Sequence, residues 1–508
     1  ELSGITGVPA RAVKDHTLRQ LDHYLERLTG RLREIGFGGV LLVMQSNGGV
    51  MTPAIARGKA ALTLLSGPAG GPAAGLFFAR AHGQNRCITT DMGGTSFEAS
   101  MAIDTPALVN DGEIDRLRVA LPMLGIHTIG AGGGSIGWID EGGLLRMGPQ
   151  SAGADPGPAC YGKGGMLPTS TDANLVLGYL NAEFFAGGRM RLETQAARGA
   201  IEAHVARPLG MSVEQAAAGM YRVVCNNMAQ GVREVTIKRG ADPREFPFIA
   251  AGGAGPLHSC LICIELEIPF QIVPREASVL CAMGMLLSDL RHDFVRTFVA
   301  RMENLDWTRL GELIDAMSAE GDAQLSEERI APGGRRHEVK LDCRYLKQYH
   351  EVSVAVPREM IARRDARAIT NTFHAEHNRL YGYSLEAENA PVEIINLRVN
   401  SLGLTDKPQY TEQAFAGEDS AHAVKGERNA YVPETTRFAR MPVYDGRRLR
   451  HGNRLTGPAI IEEVTTSVFV SGSYDCVVDR YGSFALYQRG REDLAGRTTL
   501  VTNTEAFA

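Results

Sequence analysis

Hydrophobic side chains recur at helical spacing in three long stretches of the chain. Residues 15–35, 214–237 and 307–329 each place an apolar residue at every third or fourth position. This spacing predicts three amphipathic helices, each with one apolar side to bury against a neighbouring element. In the longest stretch that side consists of Ala217, Met220, Val224, Met228, Val232 and Val235.

Short apolar runs bounded by glycine, proline or charged residues predict strands. In the first part of the chain such runs lie between the helical stretches, which is typical of an α/β fold. They cover residues 40–44, 87–90, 97–103 and 246–251. After residue 293 the runs alternate apolar and polar residues, which favours antiparallel strands. We therefore predict an α/β core region over residues 1–292 and a smaller β-rich domain over residues 293–508.

Length and composition narrow the class of protein. A chain of 508 residues is too long for one core, and 44% hydrophobic with 22% charged residues is typical of a globular protein. The net charge of −5 argues against a nucleic-acid partner, and no apolar run has the length of a membrane span. Eight scattered cysteines suggest free thiols in a reducing compartment, so we expect a cytoplasmic protein.

The 58 glycines exceed the average share, and several of them surround candidate chemistry. The run Asp91-Met92-Gly93-Gly94-Thr95-Ser96 lies between two predicted strands. Glycines let backbone N–H groups approach an anion, hydroxyls add donors, and an aspartate can hold Mg²⁺ or orient a nucleophile. The run therefore predicts a phosphate-binding hairpin; the alternative is a tight hairpin with a polar tip.

A second glycine cluster, Gly252-Gly253-Ala254-Gly255, lies between a predicted strand and a predicted helix. A helix N-terminus in this position can receive phosphate, although a close-packing turn explains the glycines equally well. The run does not match the dinucleotide pattern. Residues 157–163 match the P-loop spacing, but Gly164 replaces the required hydroxyl residue and no strand precedes them, so we do not predict a P-loop there.

Histidine and cysteine give weaker signals. Cys260 and Cys263 form a C-x-x-C pair in an apolar helix, which indicates buried thiols rather than a metal site. His127 borders the glycine-dense residues 130–172, which we expect to form an ordered but irregular region. It is therefore a candidate catalytic residue.

Taken together, these motifs resemble the hydantoinase A/5-oxoprolinase family, and they do so in order along almost the whole chain. The runs that carry the resemblance are residues 91–96 (DMGGTS), 127–136 (HTIGAGGGSI), 151–162 (SAGADPGPACYG), 171–175 (TDANL), 252–258 (GGAGPLH) and 457–463 (GPAIIEE).

The resemblance implies an ATPase core like that of actin, Hsp70 and sugar kinases, with ATP and Mg²⁺ as cofactors. It implies that Asp91, His127 and Asp172 are catalytic and that Asp91 organises Mg²⁺ and the γ-phosphate. Nucleotide would contact Gly93, Gly94, Thr95, Ser96, Gly252, Gly253, Ala254 and Gly255. Gly132, Gly133, Ser135 and Asn174 would face the substrate.

The chain also departs from the family pattern in two places. The family's first phosphate hairpin, another D-x-G-G-T run, is absent from these 508 residues, so we expect an incomplete ATPase core with its front part missing. Glu98 stands where the family commonly has aspartate, which puts the role of that carboxylate in doubt.

Three functions follow from the resemblance. The leading hypothesis is the ATP-binding subunit of a hydrolase that opens a cyclic amide (a hydantoin, oxoproline or another lactam) after phosphorylating its carbonyl. The alternatives are a subunit of an ATP-dependent acetone- or acetophenone-type carboxylase, and a truncated, non-catalytic subunit. We expect a small-molecule substrate and a hetero-oligomer with a hydantoinase B-like partner subunit.

Overall fold

The computed structural model describes residues 10–109, 112–114, 117–119 and 121–495. Its α-helices are α1 Ala10–Glu34, α2 Pro53–Gly58, α3 Gly71–Ala81, α4 Ser170–Val176, α5 Thr194–Ile201, α6 Arg207–Leu209, α7 Val213–Val235, α8 Gly255–Glu265, α9 Leu280–Leu287, α10 Trp307–Glu327, α11 Arg358–Ala362, α12 Ala366–Tyr381 and α13 Glu492–Ala495. Among these helices, none combines the length and the apolar character needed to cross a lipid bilayer.

The strands of the first half are β1 Val43–Met44, β2 Val50–Met51, β3 Arg86–Met92, β4 Phe97–Ile103, β5 Thr105–Pro106, β6 Leu108–Val109, β7 Gly112–Ile114, β8 Leu117–Val119, β9 Met123–Leu124, β10 Ile126–Ile129, β11 Ser135–Ile139, β12 Leu145–Ser151 and β13 Phe248–Ala251. Those of the second half are β14 Phe270–Val273, β15 Leu290–Arg301, β16 Arg335–Tyr345, β17 Val352–Ala355, β18 Val392–Gly403, β19 Val424–Val432, β20 Arg437–Asp445, β21 Arg454–Thr456, β22 Ala459–Glu462, β23 Ser467–Val470, β24 Tyr474–Val478 and β25 Phe484–Gln488. The protein is therefore a mixed α/β protein with a β-rich C-terminal region.

Two compact units make up the described chain, and each draws on separate segments. One comprises the described residues up to Gln45, Gly49–Leu64 and Ser288–Lys407. The other comprises Ser46–Gly48, Leu65–Leu287 and the described residues from Pro408 onward. Both units contain residues from either side of position 292, and the division predicted there stays a prediction.

The larger unit is built on a nine-stranded sheet with the order β10-β4-β3-β13-β14-β25-β24-β21, in which β5 pairs with β4. Its three central strands, β3, β13 and β14, are parallel, and their neighbours run antiparallel to them. Side chains alternate across this sheet. Ile88 packs in the core that includes α7 and α8, whereas Cys87 packs in the core that includes α3 and α9.

The same unit contains a four-stranded sheet, β19-β20-β22-β23, whose apolar face joins the core beneath α7 and α8. Helix α7 begins with a capping box, in which Ser212 and Gln215 satisfy each other's backbone N–H groups. Its apolar side is buried over the whole length predicted from the spacing, including Met220, Val224 and Met228.

The smaller unit is built on a six-stranded sheet with the order β1-β2-β15-β18-β16-β17. The side chains of Leu310 and Met317 on α10 and of Phe373 on α12 pack with those of Leu341 and Leu397 on the sheet. This unit therefore has a hydrophobic core of its own.

Most elements predicted from the sequence are confirmed. The three long helices are α1, α7 and α10, and the runs at 87–90 and 97–103 lie in β3 and β4. The irregular region expected over residues 130–172 is wrong in part, because β11, β12 and the start of α4 lie within it. All eight cysteines are free, and all but the half-buried Cys281 are buried.

Candidate functional site

The two predicted glycine loops lie side by side because they follow adjacent parallel strands. Asp91 of β3 is in register with Ala251 of β13, so the turns that follow both strands lie at the same edge of the sheet. The N–H of Ala254 donates to the Met92 carbonyl at 3.1 Å. Gly252 has φ +87°, and a Cβ there would lie 2.1 Å from the Met92 oxygen. Only glycine fits this contact.

A third glycine run braces the hairpin between β3 and β4. The N–H of Gly133 donates to the Gly93 carbonyl at 3.0 Å, and that of Gly134 donates to the Gly94 carbonyl at 2.6 Å. A Cβ on Gly132 would lie 2.6 Å from the Thr95 nitrogen. Within the described part of the chain, the N–H groups of Gly94 and Thr95 have no protein acceptor. The hairpin is thus held by its carbonyls and presents two free donors.

Ser135 and Thr171 hold the Gly132–Gly134 run in place through hydrogen bonds. The buried Ser135 hydroxyl accepts from the Gly132 N–H at 2.7 Å. The N–H and hydroxyl of Thr171 both donate to the Gly133 carbonyl at 2.8 Å, which ties the run to the first turn of α4. Ser135 therefore supports the loop from behind, whereas the sequence predicted that it faces the substrate.

Asp172 caps the start of α4. Its carboxylate is fully buried and accepts from the N–H groups of Ala159, Cys160 and Thr169 and from the Thr169 hydroxyl, at 2.7–3.2 Å. The Thr169 hydroxyl in turn accepts from the Asp172 N–H, which completes a capping box. Both oxygens of the candidate catalytic residue are therefore engaged in local structure.

These loops enclose a cavity of about 370 Å³ in the larger unit. Six of the residues predicted from the sequence line it: Gly93, Gly94, Gly133, Asn174, Gly253 and Ala254. The other predicted residues, among the described ones, lie outside its wall: Asp91, Thr95, Ser96, His127, Gly132, Ser135, Asp172, Gly252 and Gly255. The structure thus brings together the glycine loops and one amide side chain.

Two parts of the cavity wall were not among the residues predicted from the sequence. One is aromatic, with Tyr161, Phe184 and Phe185, and the other is the turn formed by residues 462–467 between β22 and β23. The buried Glu462 is paired with Lys425 and Arg428, and the Lys425 ammonium lies 3.9 Å from the centre of the Phe184 ring. Only the family motif at 457–463 pointed to this region, because the contact between Lys425 and Phe184 joins residues 241 positions apart in the sequence.

Asp91 forms a carboxylate pair with Glu98 on the neighbouring strand. The two residues are directly opposite in the β3–β4 ladder, so their side chains share a face of the sheet. The Cys281 thiol donates to Asp91 Oδ2 at 3.1 Å, and the Ser96 hydroxyl donates to Glu98 Oε1 at 2.6 Å. Burial raises the pKa of both carboxyls, and the charge of Asp91 adds to the rise at Glu98.

Such a pair suits a cation that takes a few protein ligands. Mg²⁺ is commonly held by one or two carboxylates together with phosphate and water. Among the described residues there is no group of three or more His, Cys, Asp or Glu side chains that could hold a metal by themselves. Asp91 and Glu98 therefore fit Mg²⁺ only in the mode in which it arrives with a phosphate.

His127 lies on the other face of the sheet. It is in register with Ala99, the neighbour of Glu98, so its side chain points away from the carboxylate pair. On that face Lys238 and, to a smaller extent, His127 lower the pKa of Glu234 at the end of α7. The structure therefore places His127, a candidate catalytic residue, on the opposite face of the sheet from Asp91.

Comparison with known proteins gives a consistent set of similarities. The hydantoinase/oxoprolinase family model matches residues 15–294, and the hydantoinase/oxoprolinase C-terminal domain model matches residues 306–489. The caprolactamase subunit alpha of Pseudomonas jessenii is 37% identical over 92% of this chain and 67% of its own length. The acetophenone carboxylase gamma subunit of Aromatoleum aromaticum is 31% identical over 91% of this chain and 65% of its own length.

Solved structures agree with these sequence similarities. The crystal structure of the ATP-dependent caprolactamase from Pseudomonas jessenii matches with a TM-score of 0.79 and 36% identity, over 93% of this chain and 68% of that chain. The nucleotide-free structure of acetone carboxylase matches with a TM-score of 0.77 and 27% identity, over 91% of this chain and 66% of that chain. The chain thus spans about two thirds of the length of these relatives.

Proposed function

The chain belongs to the hydantoinase/oxoprolinase family, and on this premise we propose that it is the ATP-binding part of an enzyme that opens a cyclic amide. The observation that carries the proposal is the convergence of Gly93, Gly94, Gly253 and Ala254 on one cavity. Ligands of α/β sheets bind where loops leave the carboxyl ends of adjacent parallel strands. This edge of the sheet is such a place.

The proposed reaction transfers the γ-phosphoryl group of ATP to the carbonyl oxygen of the amide and leaves ADP. Water then attacks the activated carbon, the C–N bond breaks, the nitrogen takes a proton, and phosphate is released. One water is consumed for the amide bond and one for the phosphoryl group. Phosphoryl transfer depends on positioning and electrostatic stabilisation. The free N–H groups of Gly94 and Thr95 would supply both for the phosphates.

In this proposal Asp91, with Glu98, would hold Mg²⁺. When bound, the ion neutralises phosphate charge. Asp91 accepts from the Cys281 thiol and Glu98 accepts from the Ser96 hydroxyl, so both carboxyls are oriented before the ligand arrives. The hydroxyl of Ser96 would act on Glu98 rather than on phosphate, since it donates to that carboxylate.

We further propose that the nine-stranded sheet is one lobe of an ATPase core of the actin, Hsp70 and sugar-kinase type. The phosphate hairpin and the adenosine-side loop would both belong to this lobe, at the ends of β3 and β13. A hydantoinase B-like subunit is the proposed partner, because the relatives are named as subunits of caprolactamase and of acetophenone and acetone carboxylases.

A test of nucleotide binding can use glycines that tolerate a side chain. A Cβ on Gly94 meets no atom within 4 Å, so Gly94→Ala adds a methyl group at the cavity without disturbing the fold. We expect this variant to bind ATP at least about tenfold more weakly by calorimetry, because the methyl group blocks approach to the hairpin. Gly199→Ala, on the exposed side of α5 and equally open, is the matched control and should bind like wild type.

Substrate assays decide the reaction. ADP release stimulated by caprolactam, 5-oxoproline or hydantoin, with ring-opened product, is the expected result for the intact enzyme. Consumption of acetone or acetophenone with bicarbonate would instead establish the carboxylase alternative. Absence of ATP binding by wild-type protein, at concentrations where its fold is intact by circular dichroism, would refute the proposed function.

A further inference from the structure

Asn174 lies in the cavity wall and has an unpaired side-chain acceptor. The residue lines the cavity, yet it is only 2% exposed. Its Nδ2 lies 3.1 Å from Nε2 of His258, whereas its Oδ1 has no hydrogen-bond partner among the described residues. Buried polar atoms are normally paired, so this carbonyl oxygen lacks the hydrogen-bond donor that a buried acceptor usually has.

His258 fixes the direction of the Asn174 amide. The ring is fully buried and stacks on Tyr221, with 4.9 Å between ring centres, and its Nδ1 lies 3.3 Å from the Cys225 sulfur. Burial lowers the pKa of His258 to about 3, so the ring is neutral at pH 7. A neutral imidazole has one donor and one acceptor nitrogen. With Nδ1–H donating to Cys225, Nε2 accepts from Asn174, and Oδ1 is turned away from the ring.

We propose that Asn174 Oδ1 accepts a hydrogen bond from an N–H group of the ligand in this cavity, and that His258 is the residue that positions the amide for it. The inference rests on the proposed function. Tyr161, Phe184 and Leu180 line the same cavity and suit a ring with apolar faces. Two ligands of the reaction carry an N–H on such a ring: the adenine amino group of ATP and the ring amide of a lactam.

The nucleotide arm of the test compares ATP with a purine riboside triphosphate that lacks the 6-amino group. If adenine donates to Asn174, wild-type protein binds the analogue about tenfold or more weakly in calorimetry, because the buried acceptor is left unpaired. Asn174→Leu, which keeps the shape of the side chain, should bind both nucleotides alike.

The lactam arm compares caprolactam with N-methylcaprolactam, followed by ligand-observed NMR with wild-type protein and Asn174→Leu. If the lactam is the donor, the N-methyl compound binds about tenfold or more weakly to wild type, and the variant loses this preference. We expect weaker binding of the analogue in only one of the two arms, and that arm identifies the ligand whose N–H group donates to Asn174.

The positioning role of His258 is tested by comparing two quantities: the preference for the ligand with the N–H group over its analogue, and the affinity for the analogue itself. His258→Leu should reduce the preference found above while leaving the affinity for the analogue without the N–H unchanged. A purely structural role would weaken both ligands equally. Cys225→Ser retains a hydrogen-bonding atom beside Nδ1 and should preserve the preference.

The outcomes separate this inference from the proposed function. If wild-type protein binds ATP but discriminates in neither arm, Asn174 does not read an N–H group and the inference is wrong, whether or not any variant folds. Discrimination that survives in Asn174→Leu also overturns it. If wild-type protein binds neither ATP nor a lactam, the proposed function itself fails.

Discussion

The Asp91 carboxyl lowers the stability of the folded protein, and its proposed role as a Mg²⁺ ligand explains why the protein has it. Burial raises the pKa of its carboxyl above the ordinary value of 3.8, and like-charged Glu98 stands directly opposite. In acid the carboxyl is protonated and does not lower the free energy of unfolding. As the pH rises through the folded-state pKa, its ionisation makes the folded protein less stable. The protein thus keeps a carboxyl where a side chain that never ionises would be more stable, as is common in active sites.

Replacing this carboxyl should therefore separate stability from function. We expect Asp91→Asn to raise the melting temperature at pH 7, and the gain should disappear in acid, well below the ordinary pKa of 3.8, where the aspartate is protonated in both the folded and the unfolded state. ATP turnover should fall at least about tenfold, because the proposed Mg²⁺ ligand is lost. Calorimetric melts across pH 3–8 and an ADP-release assay measure the two effects.

Asp140 provides a control of opposite sign. Its pKa is lowered, first by the Leu144 N–H and then by Arg146, so its ionised form is the stabilising one. Asp140→Asn should lower the melting temperature at pH 7 and leave ATP turnover unchanged. A lower melting temperature of Asp91→Asn at pH 7 would contradict the claim that the Asp91 carboxyl destabilises the folded protein.

At the scale of elements, helix α4 depends on one buried carboxylate. Asp172 holds three backbone N–H groups and one hydroxyl, which also fixes the segment around Cys160. We expect Asp172→Ala to destabilise the protein by about 2–4 kcal/mol, since it leaves several buried donors unpaired. Urea denaturation measures the change.

The same variant tests the catalytic role that the sequence suggested for Asp172. If the residue is structural, turnover per folded molecule is retained at a temperature below the melting transition. The surface capping box of α7 offers a comparison: Ser212→Ala should cost only about 1 kcal/mol. A loss of turnover in Asp172→Ala without a loss of stability would restore the catalytic assignment.

The sequence was informative about local elements and less so about which residues meet. Spacing of apolar residues identified α7 and the β3–β4 hairpin, because periodicity reflects burial along a single element. The face on which His127 lies depends on its register with Ala99, which no local pattern encodes. The role of Asp172 was visible in principle, because Thr169 three positions earlier forms a capping pattern.

The cavity shows the same limit. Its glycine loops were recognisable because backbone approach to a ligand requires glycine, as Gly252 illustrates. Its aromatic wall was not, since Phe184 and Phe185 have the appearance of ordinary core residues in the sequence. Long-range pairing of strands brought residues 462–467 to the same place, and such pairing cannot be read from one segment.

At the scale of the whole molecule, the larger unit depends on strands from distant parts of the chain. β14 pairs with β25, and β25 pairs with β24, so the sheet that carries the glycine loops extends into residues after 407. A fragment of residues 1–292 lacks these strands and would expose the edge of β14 that pairs with β25.

We therefore expect the fragment 1–292 to aggregate or remain unfolded. A chain in which residues 65–287 and 408–495 are joined by a flexible linker should fold and bind ATP, because it retains all of the larger unit's described residues except Ser46–Gly48. Circular dichroism and calorimetry on both fragments measure the outcome. Stable folding and ATP binding by fragment 1–292 would show that the late strands are dispensable for the site.

The distribution of the cavity wall along the chain has a consequence for biosynthesis. Gly93 and the turn at 462–467 face the same cavity, yet they leave the ribosome about 370 residues apart. At a translation rate of about 5–20 residues per second, roughly 20–75 s pass between synthesis of the Gly93 loop and synthesis of the turn at 462–467. During that time the nascent chain exposes apolar strand edges, so the yield of this protein should depend on chaperones that hold it until synthesis is nearly complete.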